Sequence, residues 1–262
     1  MKYTYNLTAI EILEQLGYKK SIPKYNMIMD SQQKNSALPS MLVEFLSLAA
    51  DSSLFSTADI WVNHKPYFSF FYDDMEQRIA EEKEHWKNCS DGTIKNEYFQ
   101  FYKLPKEHWG NIVSDYLCIG SDFAAGVVKF GICVADLEKS DPPVYMNHEC
   151  DSISEWKLWT NSLSDFLMQV LCDTLLCEMY GTAVDVLEKN GWVSETIFEE
   201  NLEAYKIERN AIKKYKSLYT DNVCGCVYAE EERTIFVIKL EERDEGIFSG
   251  IKYCKEEIPQ QL

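Results

Sequence analysis

The sequence predicts an α+β fold: a mixed, mostly antiparallel sheet flanked by helices, with a C-terminal extension of one helix and three strands. Three observations carry this expectation. Between residues 116 and 171, β-rich runs and turn residues follow one another without a gap and then open into a helix. Apolar residues recur at helical spacing around 9–16, 39–49 and 163–175. Past residue 220, three more β-rich runs are joined by charged connections. Strands in series with short loops favour an antiparallel meander with a helix laid across it.

Each element has a local reason. Thr8-Ala9-Ile10-Glu11 has the form of a capping box, in which hydroxyl and carboxylate each satisfy an orphan amide. Ala9, Ile12, Leu13 and Leu16 then form an apolar stripe, and Gly17 supplies a left-handed stop. Residues 21–36 are polar and irregular, with one extended piece at 25–29. A second helix starts at Pro39, where a missing amide is harmless, and buries Leu42, Phe45, Leu46 and Ala49. Residues 60–62, 67–72 and 98–104 read as strands, and Asp73-Asp74 caps a helix with Met75, Ile79 and Trp86 along one side.

In the centre, Tyr116-Leu117-Cys118-Ile119 is a strand, Gly120-Ser121-Asp122 a turn, 127–134 a second strand and Val144-Tyr145-Met146 a third. Ser162 and Asp165 open a helix through a second capping box. Its stripe of Leu163, Phe166, Leu167, Val170, Leu171 and Leu175 runs on past Met179 towards residues 189–191. A further helix is expected over 194–216, with Phe198, Leu202, Tyr205 and Ile212 inward. Strands follow at 223–229, 234–240 and 247–253, with Glu230-Glu231-Glu232-Arg233 as a charged hairpin connection. The change near Gly191-Trp192 divides the chain into 1–191 and 192–262, or else marks one sheet continuing.

Bulk properties narrow the function. The 262 residues are 46% hydrophobic and 13% aromatic, ample for a packed core. They carry 43 acidic and 26 basic side chains, a formal net charge of −17. Residues 1–192 hold 28 acids and 16 bases, and residues 193–262 hold 15 and 10, so the excess is spread along the chain. Such a field repels nucleic-acid phosphates and anionic lipid and attracts basic partners. Acidity also serves solubility alone. No secretion signal opens the sequence and no apolar run spans a bilayer. Nine cysteines without framework spacing fit a reducing compartment, so a cytoplasmic protein is expected.

Candidate chemistry is sparse. His64, His85, His108 and His148 are widely spaced and make no His-x-x-x-His pair. Cys224 and Cys226 share one side of a strand, but no second pair follows at zinc-finger spacing, while Cys172 and Cys177 point apart on a helix. Core cysteine is the better account, and no metal is expected. Gly120, Gly126 and Gly131 lack the Gly-Lys-Ser/Thr and following helix of a nucleotide loop, which leaves turn and bulge roles and no cofactor. Asp115, Asp122 and Asp136 are possible acid–base groups from neighbouring strands, although Asp122 in a turn most simply bonds its own backbone. Trp156 and Trp159 would share one side if their segment were a helical turn, either as a partner anchor or as the edge of a core. An enzyme with scattered carboxylates and a non-catalytic binding protein therefore both stand at this point.

Ile119-Gly120-Ser121-Asp122, Gly126, Val144-Tyr145, the Trp156/Trp159 pair and the helix start from Ser162 to Leu167 together resemble the SUKH superfamily. Its members include bacterial toxin-immunity proteins and fungal regulators of cell-wall synthesis. Leu38-Pro39-Ser40-Met41-Leu42-Val43-Glu44-Phe45-Leu46 resembles the family's early helix, although Ala49-Ala50-Asp51 stands where an Asn-Gly turn is usual. The resemblance covers residues 38–171 and leaves the C-terminal part unmatched. It implies a non-enzymatic immunity protein, with no cofactor, that binds a basic protein toxin of nuclease type; a cytoplasmic scaffold or regulator is the alternative. Loops beside a rigid sheet are where recognition concentrates. The expected partner contacts are thus Ser121, Asp122, Phe123, Glu155, Trp156 and Trp159.

Overall fold

The computed structural model describes residues 2–20, 38–49, 54, 68–70, 112–113, 116–122, 128–148, 155–176, 182–198, 204–218, 223–240 and 249–255. In chain order its first elements are β1 (Tyr3–Thr4), α1 (Ala9–Gln15), α2 (Ser40–Ala49), β2 (Phe68–Phe70), β3 (Ile112–Val113), β4 (Tyr116–Asp122), β5 (Val128–Cys133), β6 (Val144–His148) and β7 (Lys157–Thr160). Then come α3 (Leu163–Leu176), α4 (Thr182–Lys189), β8 (Trp192–Phe198), β9 (Tyr215–Lys216), β10 (Val223–Ala229), β11 (Thr234–Leu240) and β12 (Ser249–Lys255). The fold is α+β, with two sheets whose described strand pairs are all antiparallel.

Two compact units result. A discontinuous unit takes residues 1–22, 44–55 and 164–262, and a central unit takes 23–43 and 56–163. The boundary expected at residue 191 therefore falls instead between Leu163 and Ser164, and α1 belongs with the C-terminal strands. The reason is burial: the α1 stripe needs a sheet face, and the C-terminal strands provide one.

The discontinuous unit is a six-stranded sheet in the order β1-β10-β11-β12-β8, with β9 also on β10. One face carries helices. The Tyr253 hydroxyl donates to the Leu175 carbonyl at 2.5 Å, and the Trp192 indole donates to the Leu16 carbonyl at 3.2 Å. The α1 cap forms as the residues dictate. Thr8 Oγ1 accepts from the Glu11 amide at 3.2 Å and the Glu11 carboxylate accepts from the Thr8 amide at 2.7 Å. Gly17 stops the helix at φ +94°, with the Tyr18 amide reaching back to the Leu13 carbonyl at 3.1 Å. The other face packs Ile197, Val227, Phe236 and Ile238 beneath Ile212, Tyr205 and Ile207.

Three expectations are corrected here. The described residues of the helix expected over 194–216 are instead β8, helical residues at 204–205, a 3-10 turn at Arg209–Ala211 and β9. Seven residues of β8 pair with β12, and the β-branched Val193, Thr196 and Ile197 suit that ladder. The helix expected from 163 to about 189 is two helices, α3 and α4. Gly120-Ser121-Asp122 is no turn: it ends β4 and pairs with both β2 and β5, a register shift between Cys118 and Gly120 taking up the irregularity.

The central unit's sheet runs β2-β4-β5-β6-β7, with β3 on β4. Leu117, Ile119, Phe130, Ile132 and Val144 make its buried face. The elements expected at 25–29, 60–62, 73–86 and 98–104 lie outside the described residues. No helix among the described residues is long and apolar enough to cross a membrane.

Candidate functional site

Trp159 lies on β7 and Trp156 directly precedes that strand, so the pair is not on a helical turn, and this separates the two indoles. Residues three apart share a side on a helix but take opposite faces of a strand. Trp159 meets Phe130 edge-on, ring centroids 5.8 Å apart, on the buried face. Trp156 goes to the other face and stacks on Tyr116 at 4.7 Å with an interplanar angle of 16°. Tyr145 approaches Tyr116 edge-on at 5.1 Å. The indole lies directly over Gly131: a Cβ there would sit 2.8 Å from Trp156 Cζ3. Three aromatic rings thus form a half-buried cap on one face of the central sheet.

What borders the cap is exposed. Leu158, opposite Tyr145 in the β6–β7 ladder, is 54% exposed and extends the apolar surface beside the rings. Glu155 is exposed too, and its backbone carbonyl accepts from Asn147 Nδ2 at 3.3 Å, which pins the approach to β7. Rings held at low conformational cost beside an apolar and an acidic side chain make a surface suited to gripping another protein.

Of the residues expected to contact a partner, Glu155 and Trp156 come together here with Tyr116, Tyr145 and Leu158. Trp159 faces the opposite way. Ser121 and Asp122 lie on β4, three strands from β7, roughly 14 Å at the ordinary strand spacing. Phe123 lies outside the described residues. Tyr116, Tyr145 and Leu158 were missed because only register, a long-range property, brings them beside Trp156.

Cys172, Cys224 and Cys226 are buried in the discontinuous unit. Cys172 of α3 and Cys224 of β10 share a thiol hydrogen bond in the core, which together with burial pushes the Cys224 thiol up. Burial pushes Cys226 up to about 12. Such thiols are poor nucleophiles. Cys177 lies outside the described residues, as do His64, His85, His108 and Asp115. Asp136, the last residue of a separate 3-10 turn at Val134–Asp136, pairs with Lys139 at 2.7 Å. Among the described residues no group of histidine, cysteine and carboxylate side chains is arranged to hold a metal.

Among the described residues, Asp173 is the one carboxylate whose acid constant is shifted far upward. Burial raises it to about 6, against the opposing hydrogen bonds it accepts from the Leu218 amide at 2.7 Å and the Ser217 side chain. It ties α3 to the segment after β9, a positioning role within the discontinuous unit.

Compared with family models, with curated proteins and with solved structures, the chain finds no match in any of the three.

Proposed function

We propose that this chain is an immunity protein of the SUKH type, a bacterial cytoplasmic binding protein that neutralises a basic, nuclease-type protein toxin without catalysis of its own. The observation supporting this reading is the Tyr116–Trp156–Tyr145 cap bordered by exposed Leu158 and Glu155, in a chain of net charge −17. Aromatic anchors supply the central contact energy of protein interfaces. Acidic surroundings steer a basic partner onto them and raise the association rate. A nuclease is such a partner, because its site must attract phosphate.

The test is rescue and binding with purified or co-expressed basic nuclease toxin domains. One of them is expected to be neutralised, with an association rate that falls about tenfold or more as salt rises from low to high ionic strength. Leu158→Asp and Glu155→Lys, both at exposed positions, are each expected to weaken binding by about tenfold with unchanged circular dichroism. Equal affinity in both variants would remove the cap as the binding surface. A salt-independent rate would remove the electrostatic part.

A further inference from the structure

We infer that β8, in the discontinuous unit, is a strand-addition site: an extended basic segment of another protein pairs along its outer edge. The inference is independent of the immunity reading and concerns a different sheet. β8 pairs with β12 across seven residues, from Ser249↔Phe198 to Lys255↔Trp192, and ends the strand order of its sheet. Among the described residues no other strand pairs with it.

Edges of sheets are normally blunted by shortness, bulges, proline or lysine, because an open ladder recruits other chains. The other described edges obey this. β1, β3 and β9 have two residues each and β2 has three, while β7 has four, begins with Lys157 and lies against a register shift. β8 carries none of these devices: seven residues, no proline, no lysine or arginine, and an unbroken register. It also presents Val193 at 43% and Phe198 at 62% exposure, two of the four large apolar side chains exposed among the described residues.

Charge selects the occupant. A second copy pairing antiparallel over the full strand would set Glu195 opposite its own symmetry mate, in two molecules of charge −17 each. Like charges directly opposed destabilise a ladder. A strand with lysine or arginine at that position gains instead. The Glu195 side chain is 51% exposed even while one of its oxygens takes Lys252 at 2.5 Å, so the carboxylate still faces solvent for a second cation. Main-chain pairing then gives affinity, and alternate side chains give selectivity.

The probe is a synthetic nine-residue peptide alternating lysine with valine, added to the full chain, with hydrogen exchange read over 192–198. Exchange in β8 is expected to slow about tenfold, with no effect from the same peptide carrying glutamate for lysine. The double variant Val193→Lys, Phe198→Lys changes only exposed side chains and is expected to abolish the protection. The inference is overturned if the lysine peptide leaves β8 exchange unchanged, or protects the double variant equally. It is also overturned if ultracentrifugation finds a dimer of the wild type that the double variant dissolves, which would give the edge to a second copy.

Discussion

A single absent carbon places the aromatic cap. With glycine at 131 the Trp156 ring can lie flat against the sheet; a Cβ would stand 2.8 Å and 2.9 Å from two ring carbons and 3.0 Å from the Leu117 carbonyl. Gly131→Ala is therefore expected to lift the indole off Tyr116 and cost about 1–3 kcal/mol, seen as a lowered Tm and a red-shifted tryptophan emission. Unchanged values would mean that the ring is not seated by this contact. Asp173 makes a second prediction at this scale. Its native carboxyl binds a proton up to about pH 6, whereas the ordinary value is 3.8, so the folded state holds an extra proton between the two. The stability contributed by this group is full below about pH 4 and is lost as pH rises through 6. Asp173→Asn keeps an oxygen for the Leu218 amide and removes the buried charge. It is expected to flatten that pH dependence and raise Tm by roughly 5 °C near neutral pH. A Tm profile parallel to wild type would contradict it.

Elements whose causes are local were legible, and those whose causes are distant were not. The α1 capping box, the α2 stripe, the hairpin at Glu230–Arg233 and the bounds of β10 and β11 all follow from neighbours in sequence. Thr8→Ala is accordingly expected to cost about 1 kcal/mol, measured by chemical denaturation; no change would show that α1 is held by burial alone. β8 behaved differently. Phe198, Leu202, Tyr205 and Ile212 mimic helical spacing, yet the ladder with β12, more than fifty residues away, decides the outcome. The cap was half legible for the same reason: Trp156 could be singled out, but its partners Tyr116 and Tyr145 required the register of β4, β5 and β6.

At the scale of the molecule, the discontinuous unit is closed by its first strand. Lys2 bridges Glu230 at 2.8 Å, and Tyr3 packs edge-on to Phe236 at 6.5 Å while donating to the Tyr205 carbonyl. Tyr3 thereby holds down the irregular segment that covers one sheet face. Tyr3→Ala is expected to cost about 2 kcal/mol and to open residues 204–212 to proteolysis. Uncut protein at equal Tm would show that the segment is held by Ile207 and Ile212 without it. The acidity is likewise a whole-chain property, which is why its binding signature is read in salt dependence rather than in any one glutamate.

The pairing of Tyr3 with Ala229 and of Thr4 with Tyr228 has a consequence for how the protein is made. The ribosome delivers the second member of each pair more than two hundred residues after the first, roughly 10 to 45 s later at ordinary elongation rates. Throughout that interval Ile12, Leu13 and Leu16 have no sheet to cover them. A nascent chain in this state is a natural client for a chaperone waiting near the exit tunnel.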